Sequence, residues 1–304
     1  MKVSTTPKLL LIIFLLISAI AQSQVNRIFY NIEFGDSFIE VQKKVREISK
    51  SVKTIKIDNP YFPLSKNKEQ HLAASMVKLK NGTVKKIVFT FSDDKLSFIQ
   101  AKGNVNKSIV TAVKGKSQTI LNFQVYPSEL LYINLKSDIA SFLTPKSLHL
   151  NLFTWNSPYL NSNTEVKYNP SVKIPAFLKM GESLERLLPI LKEKSKLVHI
   201  ESLGIKNSIV KTQANCYGIE YAGFPRKFEI RFENNKMSKV WILTGKEEEN
   251  RIRKKLTTEF GKPLFENDNW IVFNDWTVLL RKDKPEVLLI TKELGLKYKK
   301  QYTE

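Results

Sequence analysis

The chain has a single cysteine, Cys216, in 304 residues, which excludes an intramolecular disulfide and leaves the fold to rest on its apolar core. Histidine is nearly as scarce. His71, His149 and His199 are the only three, and none has a second His or a Cys at metal-ligand spacing. Arginine is under-used: 8 of the 49 basic residues are Arg and the rest are Lys. Planar guanidinium forks suit the reading of phosphate and carboxylate geometry, whereas Lys is a hydrated point charge suited to exposed surface. The excess of Lys, spread along the chain without a dense block, therefore argues against a nucleic-acid site. It fits general solubility and loose attraction to anionic surfaces. Gly-rich phosphate loops are absent, and so is any spaced series of oxygen ligands of the calcium-loop type.

Long apolar runs are missing after the first 21 residues. Leu9–Ala21 is an uncharged run of 13 residues behind the basic residues Lys2 and Lys8, shorter than the ~20 needed to span a bilayer. With small residues at Ala19, Ala21 and Ser23, it predicts a secretory signal peptide over 1–23, cut before Gln22 or Gln24. No other stretch predicts a transmembrane helix. Removing Lys2 and Lys8 from 49 basic residues leaves 47, which against 29 acidic residues gives the mature chain a net charge of +18.

What is present is a repeat. "FGDSFIEVQKKV" (34–45) and "MGESLERLLPIL" (180–191) both place Gly, an acidic residue and Ser before an amphipathic run. Ser37 and Ser183 are predicted N-caps, and Glu40 completes a capping box in the first copy only. Apolar residues at 38, 41, 45 and 48, and at 184, 187, 188 and 191, predict one buried face per helix, with Pro189 kinking or shortening the second. "GTVKKIVFTFSDDKLSF" (82–98) aligns without gaps to "GFPRKFEIRFENNKMSK" (223–239), each a strand, a tight turn at Asp93-Asp94 or Asn234-Asn235, and a returning strand. The third block predicts a helix near 246–259, and a helical or irregular counterpart before 116. Hairpins follow, turning at Pro127-Ser128 and Asn274-Asp275, and final strands are expected near 147–155 and 286–293.

The predicted organisation is a signal peptide over 1–23, an N-terminal repeat over 24–156, a polar linker over 157–171 and a C-terminal repeat over 172–304. The fold class is α+β, with two repeated domains, each an antiparallel sheet with helices packed on one face. The order of elements, with "FGDSFIEVQKKV", "LTTEFGKP" and "NDNWIVFNDWTVLL", resembles the beta-lactamase-inhibitor-like and SmpA/OmlA-like modules of exported bacterial proteins, here in tandem duplication. That resemblance implies binding of other proteins on an open sheet face.

Among chemistry-bearing residues, "HIE" (199–201) is read as the close His–carboxylate pair. In a strand the two share a face, as a charge pair on a half-exposed strand or as an acid–base or weak metal site. Cys216 is expected to be a small buried hydrophobe. No catalytic, cofactor or metal residue is assigned. Trp155, Trp241, Trp270 and Trp276 fall in or beside expected strands, in the core or on the uncovered face. The candidate binding residues are Trp241, Trp270 and Trp276 for a protein partner, and Lys85 and Lys86 for an anionic lipid or glycan surface. The expected class is an exported, non-enzymatic binding or scaffold protein whose partner is another envelope protein. A Lys-rich binder of anionic surfaces and an enzyme of another type are the alternatives.

Overall fold

The computed structural model describes residues 22–162, 167–204 and 210–303. Residues 1–21 of the expected signal peptide lie outside the described residues.

The first unit opens with helices α1 (Gln22–Ile28) and α2 (Phe38–Ile48) and the four strands β1 (Ser49–Ile57), β2 (Glu69–Leu79), β3 (Gly82–Ser92) and β4 (Lys95–Lys102). A single turn α3 (Val105–Ser108) and a 3-10 turn at Val110–Ala112 follow, then β5 (Gln118–Ile120), β6 (Phe123–Tyr126), β7 (Leu131–Asn134) and β8 (Ile139–Phe142). All eight strands form one antiparallel sheet in the order β1-β2-β3-β4-β8-β7-β6-β5. It consists of two four-stranded meanders, the second running back so that its last strand, β8, meets β4.

The second unit repeats this plan. Helix α4 (Leu184–Lys194) precedes β9 (Leu197–Ser202), β10 (Val210–Tyr221), β11 (Phe224–Glu233) and β12 (Lys236–Leu243). Helix α5 (Glu249–Phe260) separates these from β13 (Phe265–Glu266), β14 (Trp270–Phe273), β15 (Val278–Arg281) and β16 (Glu286–Ile290), and α6 (Lys292–Thr303) follows. The sheet order is β13-β14-β15-β16-β12-β11-β10-β9, the same topology.

The repeat extends to single hydrogen bonds. Ser37 accepts from the Glu40 amide and closes a capping box, whereas Ser183 caps through the Arg186 amide alone. Ahead of the caps, Gly35 donates to Leu96 O and Gly181 to Met237 O, both at 2.8–2.9 Å, with φ of +91° and +84°. That left-handed backbone is where Gly costs least. The hairpin turns at Asp93-Asp94 and Asn234-Asn235 have positive φ at both residues, as tight turns of this hand require. Asp93 also accepts amides from Lys66, Asn67 and Lys68, fastening the preceding loop to the hairpin. Pro189 does not shorten its helix: α4 and α2 are both 11 residues long. An internal Pro removes one amide bond and crowds one carbonyl, here in a helix whose Leu187 and Leu191 remain anchored in the core.

Helices α1 and α2 cover one face of the first sheet, and α4 and α5 one face of the second. In the first unit Phe38, Val41 and Val45 of α2 pack on Leu72, Phe89 and Phe91, while Phe29, just after α1, meets Phe89 and Phe142 edge-on at 5.8 and 5.2 Å. In the second, Leu187 and Leu191 of α4 and Ile252 and Leu256 of α5 cover Cys216, Phe228, Ile230 and Val240.

Of the two forms expected for the counterpart of α5 in the first unit, the irregular one is found, a broken pair of turns around α3, because its Val, Ile and Thr residues disfavour helix. Two local outcomes differ from the sequence expectation. The last strand of the first unit is β8, not 147–155, where the chain instead makes a 3-10 turn at Leu150–Leu152. Helix α6 is an addition that the apolar pattern did not reveal.

By internal contacts, one unit takes the chain as far as Leu148 together with the segment from Asn156, and the other takes His149–Trp155 and the chain from Lys167 onward. Within the second unit, Asn151 explains this placement. Its carboxamide accepts from Lys227 N at 2.7 Å and donates to Leu243 O at 2.9 Å, bridging β11 and β12 where their ladder ends. His149 Nδ1 accepts from the Asn151 amide, and its Nε2 bonds Thr244 O at 3.0 Å. Burial pushes the His149 pKa down, in keeping with a neutral ring. In the first unit, Ser157 N donates to Gln100 Oε1, and Tyr159 and Leu160 pack on Ile55, Ala73 and Val88.

Candidate binding face

Strand alternation sorts the second sheet into two faces. Ala214, Cys216, Phe228, Ile230, Val240 and Ile242 point to the helices, so Gln213, Asn215, Glu229, Arg231 and Trp241 point the other way. The ladder register sets these residues side by side: Gln213 opposite Glu201 and Arg231, Glu229 opposite Trp241, and Arg281 opposite Trp270 and Glu286.

A row of planar polar groups results. Glu201 Oε1 accepts from Asn215 Nδ2 at 2.7 Å and Gln213 Nε2 at 3.0 Å. Gln213 Oε1 accepts from Arg231 Nε at 2.8 Å, and Glu229 accepts from Arg231 at 3.3 Å and from Lys227 Nζ at 2.6 Å. The Trp241 indole follows, with Arg231 and Arg281 each 5.7 Å from its ring and Trp270 at 6.1 Å. Arg281 also lies 5.6 Å from the Trp270 ring, and its guanidinium is fixed by Asp283 at 2.6 Å and Glu286 at 3.5 Å. The hydrogen bond to Asp283 raises the Arg281 pKa, and burial raises that of Glu286 against the pull of Arg281.

Charge is balanced along this row. Lys227, Arg231 and Arg281 face Glu201, Glu229 and Glu286, in a chain whose net charge is +20. The Lys excess is thus not concentrated here. The half-buried Trp241 and Trp270 are held between guanidiniums in preset orientations, and the Trp241 indole N–H is buried with no hydrogen-bond partner among the described residues. Trp276 lies on the same face, 5 % exposed, stacked on Phe265 at 5.3 Å. All three tryptophans singled out from sequence therefore share one apolar cluster with Val272, Leu279 and Leu288, opposite the helix-covered core.

Lys85 and Lys86 lie on β3 of the first unit and so do not join this face. Lys86 reaches Ser75 Oγ at 3.4 Å, and burial, with Lys53 nearby, lowers its pKa. The exposed Lys85 stem packs over Gly103. Trp155 is buried, its Nε1 donating to the Tyr168 hydroxyl. Cys216 is fully buried in mid-strand, and burial pushes its thiol up to about 12, far from a reactive thiolate.

The carboxylate of Glu201 is engaged by two carboxamides, so the spacing in "HIE" assembles an amide cluster. The His–carboxylate pair that does form is Glu69–His71, which has the same i, i+2 spacing in "EQH" and was legible on that ground. His71 Nε2 lies 2.8 Å from Glu69 Oε1, its Nδ1 lies 3.0 Å from Thr90 Oγ1, and all three residues are buried. Burial pushes the Glu69 carboxyl up, but His71 and the amides of Phe62 and Tyr61 outweigh it, and the net shift is downward. Tyr159 lies over the imidazole at 4.8 Å, so this relay is a sealed structural element. Among the described residues no group of three His, Cys, Asp or Glu could hold a metal ion, and no helix is long and apolar enough to cross a membrane.

Comparison with protein-family models, curated proteins and solved structures finds no match.

Proposed function

We propose that the chain is an exported, non-enzymatic binding or scaffold protein of the bacterial cell envelope, and that it engages another envelope protein through the Trp241–Trp270 face of its second unit. The observation that carries this reading is the indole of Trp241 held between Arg231 and Arg281. Trp and Arg are the residue types that dominate interface energetics, and side chains already fixed by neighbours lose little freedom when a partner docks. The resemblance of the repeat to exported protein-binding modules points the same way. The short basic start and apolar run before Gln22 support export.

The test is capture of partners from the organism's own envelope extract in physiological salt. Trp241→Ala with Arg281→Ala should remove most capture, at a ΔΔG of about 2 kcal/mol or more per hot-spot residue, in variants shown to be folded. Lys85→Glu with Lys86→Glu should weaken binding to anionic vesicles modestly and leave capture in place. The reverse pattern, with capture lost on reversing the two lysines and falling steeply with salt, would instead favour a binder of anionic lipid or glycan, the reading suggested by the Lys excess. N-terminal sequencing of the exported protein should begin at Gln22 or Gln24, and Met1 would refute export by cleavage.

A further inference from the structure

Each repeat leaves the face opposite its core helices partly apolar, and each takes a segment from outside its eight strands to cover it. In the first unit the cover is Tyr159 and Leu160 on Ile55, Val88 and Ile139. In the second it is α6. Leu294, Tyr298 and Tyr302, spaced i, i+4 and i+8 on one helical face, pack on the cluster that holds Trp276, Leu279 and Leu288. Tyr302 lies 5.9 Å from Phe265, and Tyr298 6.4 Å from Tyr302.

The fit has one exacting point. Gly295 is the only fully buried residue of α6, and a Cβ there would stand 2.5 Å from the Trp276 carbonyl oxygen. The helix therefore lies backbone-close against the turn that carries Trp276. Elsewhere the hold is light. The three anchors are half-buried, Leu296 is 66 % exposed, and Lys297 pairs with Glu293 on the helix itself. The cap is Thr291, whose hydroxyl accepts from Leu294 N and whose amide donates to Ser238 O. A helix of 12 residues is marginal alone in water, so α6 keeps its shape because this groove shapes it. Departure of α6 would vacate about 18 Å of helix-binding surface, continuous with Trp270.

We propose that this groove is a receptor for amphipathic helices, that α6 is its exchangeable occupant in the resting chain, and that the partner presents a helix of the same pattern: Leu or an aromatic at i, i+4 and i+8, with Gly directly after the first anchor. This deepens the reading of the face as a protein-binding surface and rests on it. The small residue is the specificity determinant, because any side chain at that position meets backbone that cannot move aside.

The decisive experiment uses the full chain carrying Gly295→Leu, which wedges α6 out, and a fluorescent peptide of residues 291–303 as the probe. The peptide should bind the Gly295→Leu chain at least tenfold more tightly than the unaltered chain, and the same peptide bearing Gly295→Leu should lose at least tenfold. Hydrogen exchange in the altered chain should speed up over 292–303 while β12, β15 and β16 stay protected. If the altered chain fails to fold, Tyr298→Ala with Tyr302→Ala removes the anchors without a wedge and takes its place. Equal affinities for both chains, no discrimination between peptides, or loss of folding in both variants would overturn the proposal, the last by making α6 an integral part of the sheet's core. None of these outcomes depends on envelope capture, so a failure of the groove is separable from a failure of the Trp241–Arg281 contact.

Discussion

Arg226 and Glu248 form an ion pair in which both side chains are 0 % exposed, and removing one partner should be the most damaging polar change in the second unit. Arg226 donates Nη1 and Nη2 to the two Glu248 oxygens and Nε to Tyr221 O, with its guanidinium 5.4 Å from the Phe224 ring. Glu248 also accepts from Gly245 N and from Arg251. Burial alone would push the Glu248 carboxyl up, but Arg226 and Arg251 outweigh it and hold it low. Glu248→Gln leaves a buried guanidinium without its counter-charge, at a cost of about 3–5 kcal/mol. In a unit of this size that corresponds to a Tm lower by about 6–20 °C. Arg226→Met should cost a similar amount. The double variant should cost less than the sum by about 2–3 kcal/mol, its residual penalty coming from the Tyr221 carbonyl left without its Arg226 donor. All four tryptophans, Trp155, Trp241, Trp270 and Trp276, belong to this unit, so urea titration followed by intrinsic fluorescence reads it selectively. The folded carboxyl lies below its unfolded value, so its contribution is full above the ordinary carboxylate range and lost as pH falls through the folded pKa. Glu248→Gln should flatten that acid limb. Strict additivity of the single changes, or a Glu248→Gln cost under about 1 kcal/mol, would refute the account.

Asn151→Ala strips two backbone groups, the buried Lys227 N and the part-buried Leu243 O, of their Asn151 partner and should cost about 2–5 kcal/mol, measured by the same urea titration; Asn151→Asp should fail to restore the bond to Leu243 O, having no donor. Glu69 is also held below its ordinary value, so the first unit should lose stability as pH drops below the carboxylate range, and Glu69→Gln should be destabilised at neutral pH and less sensitive to acid, as followed by far-ultraviolet circular dichroism. The Cys216 thiol, pushed up to about 12 by burial, should react with a disulfide reagent at pH 8 only at the rate of unfolding, and prompt labelling of the native chain would contradict its burial.

The helices α2, α4 and α5, the hairpins and the duplication were legible because apolar period, N-cap chemistry and left-handed turn residues all agreed at those places. Residues 147–155 were misleading for a physical reason. The alternation of Leu with Ser, His and Asn imitates a strand, but His149 and Asn151 spend their side chains on β11 and the end of β12, an arrangement that depends on residues 76 or more positions away. Helix α6 was hidden because Gly295 lowers its propensity, and its stability comes from packing on Trp276. The site was half legible. Composition picked out the three tryptophans, but only the register of β9 to β16 reveals that they share a face with Arg231 and Arg281, while Lys85 and Lys86 stand on another sheet. The Glu69–His71 pair carries its signal in the i, i+2 spacing alone, since alternate residues of a strand share a face.

The order of the chain imposes a timetable on its assembly. The strap His149–Trp155 is synthesised 76 residues ahead of Lys227 and 92 ahead of Leu243, and the residues that follow it at once, from Asn156, are needed by the unit already made. Contacts so distant in sequence raise the entropic cost of closure and slow folding. The strap must therefore wait, unpartnered, between a finished neighbour and a sheet that does not yet exist. A chain held unfolded until release would meet both demands together, whereas one folding as it emerges would complete its first sheet and leave the strap dangling until β12 arrives.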